Sequence, residues 1–116
     1  MREKKPSSKT IGVEPTPGHK IQGLKNMSEA IVPKIYDERL LDGKMTVGDE
    51  EAYEAARWLT VKEGLFVGMS SGAAYVGARR IAREVKSGTI VVLFPDRGDR
   101  YLSTTLFRST CGECPP

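Results

Sequence analysis

Residues 89–94, Thr-Ile-Val-Val-Leu-Phe, make a continuous apolar run framed by Gly88 and Pro95. Such a run, rich in β-branched residues, reads as a strand buried on both faces, as in a parallel sheet covered by helices. Directly before it, residues 72–86 carry Ala74, Ala78, Ile81, Ala82 and Val85 at helical spacing, with Gly77 leaving room for another backbone. Arg79, Arg80, Arg83 and Lys86 load the far end of that helix with positive charge, which suits its dipole, and Gly88 ends it. Residues 65–67 read as a second short buried strand.

Residues 49–63 predict another helix. Asp49 serves as N-cap, Glu50 and Glu51 follow in the first turn, and Gly64 suits the C′ position. Ala52, Ala55, Ala56 and Leu59 recur at i, i+3, i+4 and i+7 as its inner stripe. Further back, residues 10–14 make a short strand with Ile11 and Val13. The order β-α-β-α-β predicts an α/β layer architecture with a mostly parallel sheet.

The connections are uneven. Residues 15–27, Pro-Thr-Pro-Gly-His-Lys-Ile-Gln-Gly-Leu-Lys-Asn-Met, form a loop longer than most, and long ordered loops in compact domains are often functional. Residues 28–41 allow a short helical stretch interrupted near Pro33, and residues 42–49 a turn with a brief extended piece. Residues 2–5 resemble the last basic turn of a helix, followed by a turn at Pro6, Ser7 and Ser8. A chain opening in that way is expected to lack an amino-terminal portion.

With 116 residues the chain holds one small domain. The net charge of +3 is small, and the bases Lys4, Lys5, Arg57, Arg79, Arg80, Arg83 and Arg100 are dispersed, which argues against a nucleic-acid partner. No apolar run reaches the roughly 18 residues of a membrane span, and the amino terminus has no signal-peptide core. A cytoplasmic protein is the expectation. Cys111 and Cys114 form one C-x-x-C, too few ligands for a tetrahedral zinc site, so no metal is expected. They read as reduced thiols in a tail over residues 109–116.

Three places could carry chemistry. The stretch Gly-Met-Ser-Ser-Gly-Ala at 68–73 lies between an apolar run and a helix, where open α/β sheets bind ligands. A helix start offers unpaired N–H groups, Gly68 and Gly72 remove side chains, and two hydroxyls can donate or accept. Alternatively, Ser70 or Ser71 simply caps the helix. The stretch lacks the G-x-G-x-x-G of a dinucleotide site. It satisfies the bare G-x-S-x-G of a hydrolase elbow, but His19, the one histidine, precedes the serine, against the usual order. His19 reads as a structural or surface residue. Asp96 and Asp99, each beside an arginine (Arg97, Arg100), read as a salt-bridged turn at the exit of the 89–94 strand.

Ile-Gly-Val-Glu-Pro, Gly-His-Lys-Ile-Gln-Gly-Leu, Glu-Gly-Leu-Phe-Val-Gly-Met-Ser-Ser-Gly-Ala-Ala and Val-Val-Leu-Phe-Pro-Asp-Arg-Gly-Asp-Arg-Tyr-Leu-Ser-Thr occur in this order. Together they resemble the cysteine synthase (O-acetylserine sulfhydrylase) family, fold type II pyridoxal-phosphate enzymes related to cystathionine β-synthase. The resemblance covers about residues 3–107. It implies that residues 1–108 are the carboxy-terminal part of the cofactor-binding large domain. It also implies that Ser70 hydrogen-bonds the pyridine nitrogen of pyridoxal 5′-phosphate. A neutral hydroxyl makes the ring a weaker electron sink than a carboxylate would, which suits β-elimination and replacement. Gln22, Gly23 and Leu24 are implied to lie beside the bound substrate and help close the site. The Pro-Asp-Arg-Gly-Asp-Arg-Tyr segment is implied to border the cofactor pocket.

The family's Schiff-base lysine, its substrate-carboxylate loop and its Gly/Thr-rich phosphate cup have no counterpart in the quoted motifs. Lys20, Lys25 and Lys34 lie in no matching motif, so no catalytic residue is assigned. The resemblance therefore implies the carboxy-terminal portion of an enzyme that makes L-cysteine from O-acetylserine and sulfide. Its implied partners are its own amino-terminal part, a second copy in a homodimer, and serine acetyltransferase. Alone, the chain is expected to be inactive, to hold the cofactor weakly or not at all, and to self-associate through exposed strand edges. A non-catalytic α/β module and a cystathionine β-synthase-like relative are the alternatives.

Overall fold

The computed structural model describes residues 4–28, 31–102 and 106. Strands β1 (Ile11–Pro15) and β2 (Gly43–Val47) form a two-stranded parallel sheet, with Ile11 opposite Gly43 and Pro15 opposite Val47. The ladder continues past both ends: Asp42 N donates to the Thr10 carbonyl at 2.8 Å, and Thr16 N to the Val47 carbonyl at 3.1 Å. Parallel strands need a crossover, usually helical. Among its described residues the crossover here holds a 3-10 turn (Glu38–Leu40), capped by the Asp37 carboxylate on Arg39 N at 3.0 Å. Of the helical stretch expected at 28–41, interrupted near Pro33, the described residues show this short 3-10 turn after the proline and no α-helix. Pro33 lacks an N–H and biases its predecessor away from helical angles.

Helix α1 (Asp49–Glu63) has the expected bounds. Ala52, Ala55, Ala56 and Leu59 are buried, and Gly64 takes the left-handed C-cap with φ 69°. The N-cap, however, is Gly48. Asp49 lies inside the first turn, and its carboxylate accepts from Lys20 N at 2.9 Å. A carboxylate can answer a distant amide as readily as one in its own helix, and here the loop amide is in reach.

Helix α2 (Met69–Glu84) begins before residue 72, with Gly68 as N-cap and no side-chain capping bond. Neither Ser70 nor Ser71 caps it, because both already lie in its first turn. Its buried face is Met69, Ser70, Ser71, Gly72, Ala73 and Gly77. The predicted stripe is therefore displaced: Ala74, Ala78 and Ile81 are half-buried, and Ala82 and Val85 are exposed. Apolar spacing marks a helix face without saying which neighbour reaches it. At Gly72 the close neighbour is α1: a Cβ there would overlap the Ala52 carbonyl oxygen and stand 2.9 Å from Ala56 N. Gly77 meets side chains and not backbone, since its Cβ would lie 2.7 Å from Val13 Cγ2 and 3.1 Å from Met45 Sδ. Helix α2 thus touches α1 near its start and the sheet at its middle. Arg80 ties the three together, donating to the Thr46 carbonyl at 2.6 Å and pairing with Glu51.

Two predicted strands do not join the sheet. Residues 65–67 contribute only an isolated antiparallel bridge between Val67 and Arg97. Residues 89–94 pair with nothing as a strand, and Val91 and Leu93 are 80% and 79% exposed. A run suited to burial on both faces needs strands beside it, and no described residue supplies them. Phe94 alone of that run packs against the core, which gathers Ile21, Val47, Ala52, Tyr53, Ala56, Leu59, Val67, Met69, Ala73, Tyr101 and Leu106. Among the described residues no helix is long and apolar enough to cross a membrane. Cys111 and Cys114 lie outside the described residues.

Candidate functional site around Ser70

The long loop after β1 is built into the fold. Ile21 is 2% exposed within the core. Tyr53 donates its hydroxyl to the Lys20 carbonyl at 2.8 Å, and Asp49 accepts from Lys20 N, so α1 grips that residue from both sides. His19 Nδ1 accepts from Ile21 N at 3.1 Å, a structural use of the one histidine. Buried Asn26 closes the loop by donating to the Pro15 carbonyl at 2.9 Å and accepting from Ser28 N at 2.9 Å. Between these anchors Gln22 and Gly23 are exposed and Leu24 is half-buried against the core. Gly23 adopts φ 89°, a conformation glycine reaches without steric cost.

Gly23 faces Ser70. A Cβ built on it would stand 3.4 Å from Ser70 Oγ and 3.9 Å from the Tyr101 hydroxyl oxygen. Ser70 is 2% exposed, and its hydroxyl has no hydrogen-bond partner among the described residues. A buried hydroxyl without a partner is costly, on the order of 1–3 kcal/mol, and calls for an explanation. Ser71 is spent differently, donating to the Asp96 carbonyl at 3.4 Å. The two adjacent hydroxyls thus divide: one secures the 96–101 segment and the other has no partner among the described residues.

That segment is anchored to the start of α2. Gly98 N donates to the Phe66 carbonyl at 3.0 Å beside the Val67–Arg97 bridge. Tyr101, 6% exposed, donates its hydroxyl to the Asp96 carboxylate. The bond to Asp96, aided by burial, pushes the Tyr101 hydroxyl up to about 12. Gly68 is required beneath them, because a Cβ there would overlap both the Asp96 carboxylate and the Tyr101 ring. Gly68 and Gly72 therefore admit protein neighbours and not a ligand. Of the expected salt-bridged turn, Arg97 pairs with Asp99 at 3.2 Å, whereas Asp96 is bound by Tyr101. The weight of Tyr101, Tyr53 and Asn26 was not legible in the chain, where no spacing relates them to one another.

A separate groove on α1 and α2 is lined by Glu51, Trp58, Arg79 and Arg83 and shares no residue with this cluster. Of its lining residues, Trp58 stacks on Tyr75 with ring centres 5.7 Å apart, and the Arg79 guanidinium lies 5.9 Å from the Tyr75 ring centre.

The family model described as "Pyridoxal-phosphate dependent enzyme" matches residues 1–96. The chain belongs to that family. Among curated relatives, a cysteine synthase of Aquifex aeolicus is 46% identical over 107 residues, covering 88% of this chain and 33% of that protein. Among solved structures, cysteine synthase from Entamoeba histolytica superposes with a TM-score of 0.84 at 34% identity, over 94% of this chain and 35% of that one. An O-acetylserine dependent cystathionine β-synthase from Helicobacter pylori superposes with a TM-score of 0.81 at 37% identity, over 91% of this chain and 37% of that one. The chain spans about a third of the length of these relatives. Its α/β fold is that of the matching part of these pyridoxal-phosphate enzymes.

The residues present fit the family's cofactor at one contact. Ser70 Oγ is buried and unpartnered, and a hydroxyl there can donate to a ring nitrogen or accept from its protonated form.

Proposed function

We propose that this chain is the carboxy-terminal part of a cysteine synthase, with residues 1–108 belonging to the cofactor-binding large domain and 109–116 to a tail. In the whole protein the reaction would be formation of L-cysteine from O-acetylserine and sulfide. The observation that carries the reading is the unpartnered, buried Ser70 hydroxyl at the start of α2, facing the loop that holds Gln22, Gly23 and Leu24.

Pyridoxal phosphate supplies the electron sink that such a β-replacement requires. Ser70 Oγ would hold and orient the pyridine nitrogen, and its neutrality would temper the withdrawal of electrons. Gln22, Gly23 and Leu24 would cover the reacting amino acid and exclude water. The anchors at Lys20 and Asn26 hold the ends of that loop. The other parts needed, a Schiff-base lysine and a phosphate cup, would come from the remaining two thirds that the relatives possess. A homodimer, a contact with serine acetyltransferase and a cytoplasmic setting belong to the same proposal.

Ser70 alone cannot retain the cofactor. One hydroxyl bond nets about 0.5–1.5 kcal/mol, whereas micromolar binding requires about 8 kcal/mol. The 116-residue chain should therefore show no saturable absorbance change with micromolar pyridoxal phosphate, and no activity. A chimera tests the reading: this chain replaces the matching stretch of the Aquifex aeolicus cysteine synthase. The chimera should bind the cofactor and form cysteine, and Ser70→Ala should weaken both. A chimera that binds the cofactor equally well with alanine at 70 would sink the assignment. The likeness to the Helicobacter pylori structure supports a second reading, in which homocysteine replaces sulfide. Assaying the chimera with both nucleophiles separates the two.

A further inference from the structure

The contacts of Tyr101 have a shape that core packing alone does not require. Its ring lies on Gly68, the N-cap of α2, and its hydroxyl donates to Asp96 while standing near Gly23. The Asp96 carboxylate reaches the same glycine from the side, at the positive end of a sixteen-residue helix. Asp96 is itself held by Ser71 through its carbonyl. Tyr101 therefore spans the gap between two separate pieces of chain, the first turn of α2 and the centre of the 22–24 loop.

We propose that Tyr101, tethered by Asp96, is a positioning residue that latches the 22–24 loop to the Ser70 turn. The assignment of those two pieces to a ligand site rests on the reading above; the latch itself is a property of the ligand-free chain. When the tether is intact, the loop rests at a fixed height over the unpartnered hydroxyl. Without it, the ring is free to shift, and loop and helix start loosen together. The neutral form of Tyr101 is the one that donates, and the pKa pushed up to about 12 extends that form into alkaline solution.

Two amides report on the two sides of the latch. Ile21 N, bonded to His19 Nδ1, reports on the loop, and Gly72 N, bonded to the Gly68 carbonyl, reports on the helix start. Hydrogen exchange is measured on the protein without cofactor. Loss of one hydrogen bond should accelerate exchange about two- to tenfold at both amides in Tyr101→Phe and in Asp96→Ala. Asp96→Asn retains an acceptor for the hydroxyl and should exchange like the unaltered protein. Leu59→Ala, a core substitution in α1, should instead accelerate amides throughout α1 and α2. The latch is overturned if Tyr101→Phe loosens Gly72 but leaves Ile21 unchanged. It is equally overturned if Asp96→Asn matches Asp96→Ala, or if Tyr101→Phe reproduces the uniform pattern of Leu59→Ala. Because no cofactor is present, these results stand whether or not the chimera binds one, and failure of the chimera leaves the latch intact.

Discussion

Gly23 and Ser70 face one another across 47 positions of sequence: a Cβ on the glycine would stand 3.4 Å from the serine Oγ. A distance of 3.4 Å is ordinary contact, so space alone does not exclude a methyl group. The backbone does, because φ 89° is a conformation that side chains rarely adopt. Gly23→Ala should therefore cost about 1–2 kcal/mol, seen as a lower midpoint in urea unfolding. Relief of the strain would move the loop, so Ile21 N should also exchange faster. An unchanged midpoint would show that the loop relaxes freely.

Ser70→Ala should act with opposite sign on stability and binding. The hydroxyl is buried without a partner among the described residues, and removing it lifts a desolvation cost on the order of 1–3 kcal/mol. The ligand-free protein should melt at the same temperature or higher, while the chimera should lose affinity for pyridoxal phosphate. A clear fall in melting temperature would mean that the hydroxyl is already satisfied in the ligand-free state.

Gly72→Ala is expected to be among the most damaging single methyl additions. The new carbon would overlap the Ala52 carbonyl oxygen, which belongs to the α1 backbone and cannot swing aside as a side chain could. Forcing the helices apart should cost about 1–3 kcal/mol or more. Gly64→Ala offers the comparison, since its Cβ would meet nothing and only the positive φ of 69° opposes it. Urea midpoints of the two variants should rank in that order.

Stability should fall in strongly alkaline solution through Tyr101. Its folded-state pKa lies near 12, above the ordinary value of 10, because the neutral hydroxyl donates to Asp96 and is buried. The folded form holds its proton more tightly than the unfolded form. The resulting stabilisation is complete below pH 10 and fades as the pH rises towards 12. Denaturation followed from pH 9 to pH 12 should show this loss in the unaltered protein and not in Tyr101→Phe.

The apolar run at 89–94 should drive self-association. Val91 and Leu93 are largely exposed, and the run has no strand partner among the described residues. The double substitution Val91→Lys and Leu93→Lys should shift sedimentation towards the monomer. Unchanged sedimentation would place the association surface elsewhere.

Local physics carried much of the reading from sequence. The α1 stripe of Ala52, Ala55, Ala56 and Leu59 needs only helical periodicity to be recognised, and Gly64 needs only its tolerance of positive φ. The strand expected at 10–14 follows from its composition and flanking turns, and the structure has it at Ile11–Pro15. Capping at both helices differs from the sequence expectation because caps compete with other partners: Asp49 binds the Lys20 amide, and Gly68 precedes the serines. The run at 89–94 shows the same limit, since its pattern specifies burial but not the presence of neighbours.

Sequence by itself determined the two helices, the first strand and the family resemblance, because these depend on residue types at short spacing; it is the resemblance, and not spacing, that points to Ser70. Only the tertiary structure decided that Ser70 has no partner among the described residues while Ser71 is bonded, that Gly72 and not Gly77 admits a neighbouring backbone, and that Tyr101 lies against Gly68 with its hydroxyl near Gly23. Those outcomes depend on which distant atoms arrive within hydrogen-bond or contact distance. That is a property of how the elements pack together, and no single element specifies it.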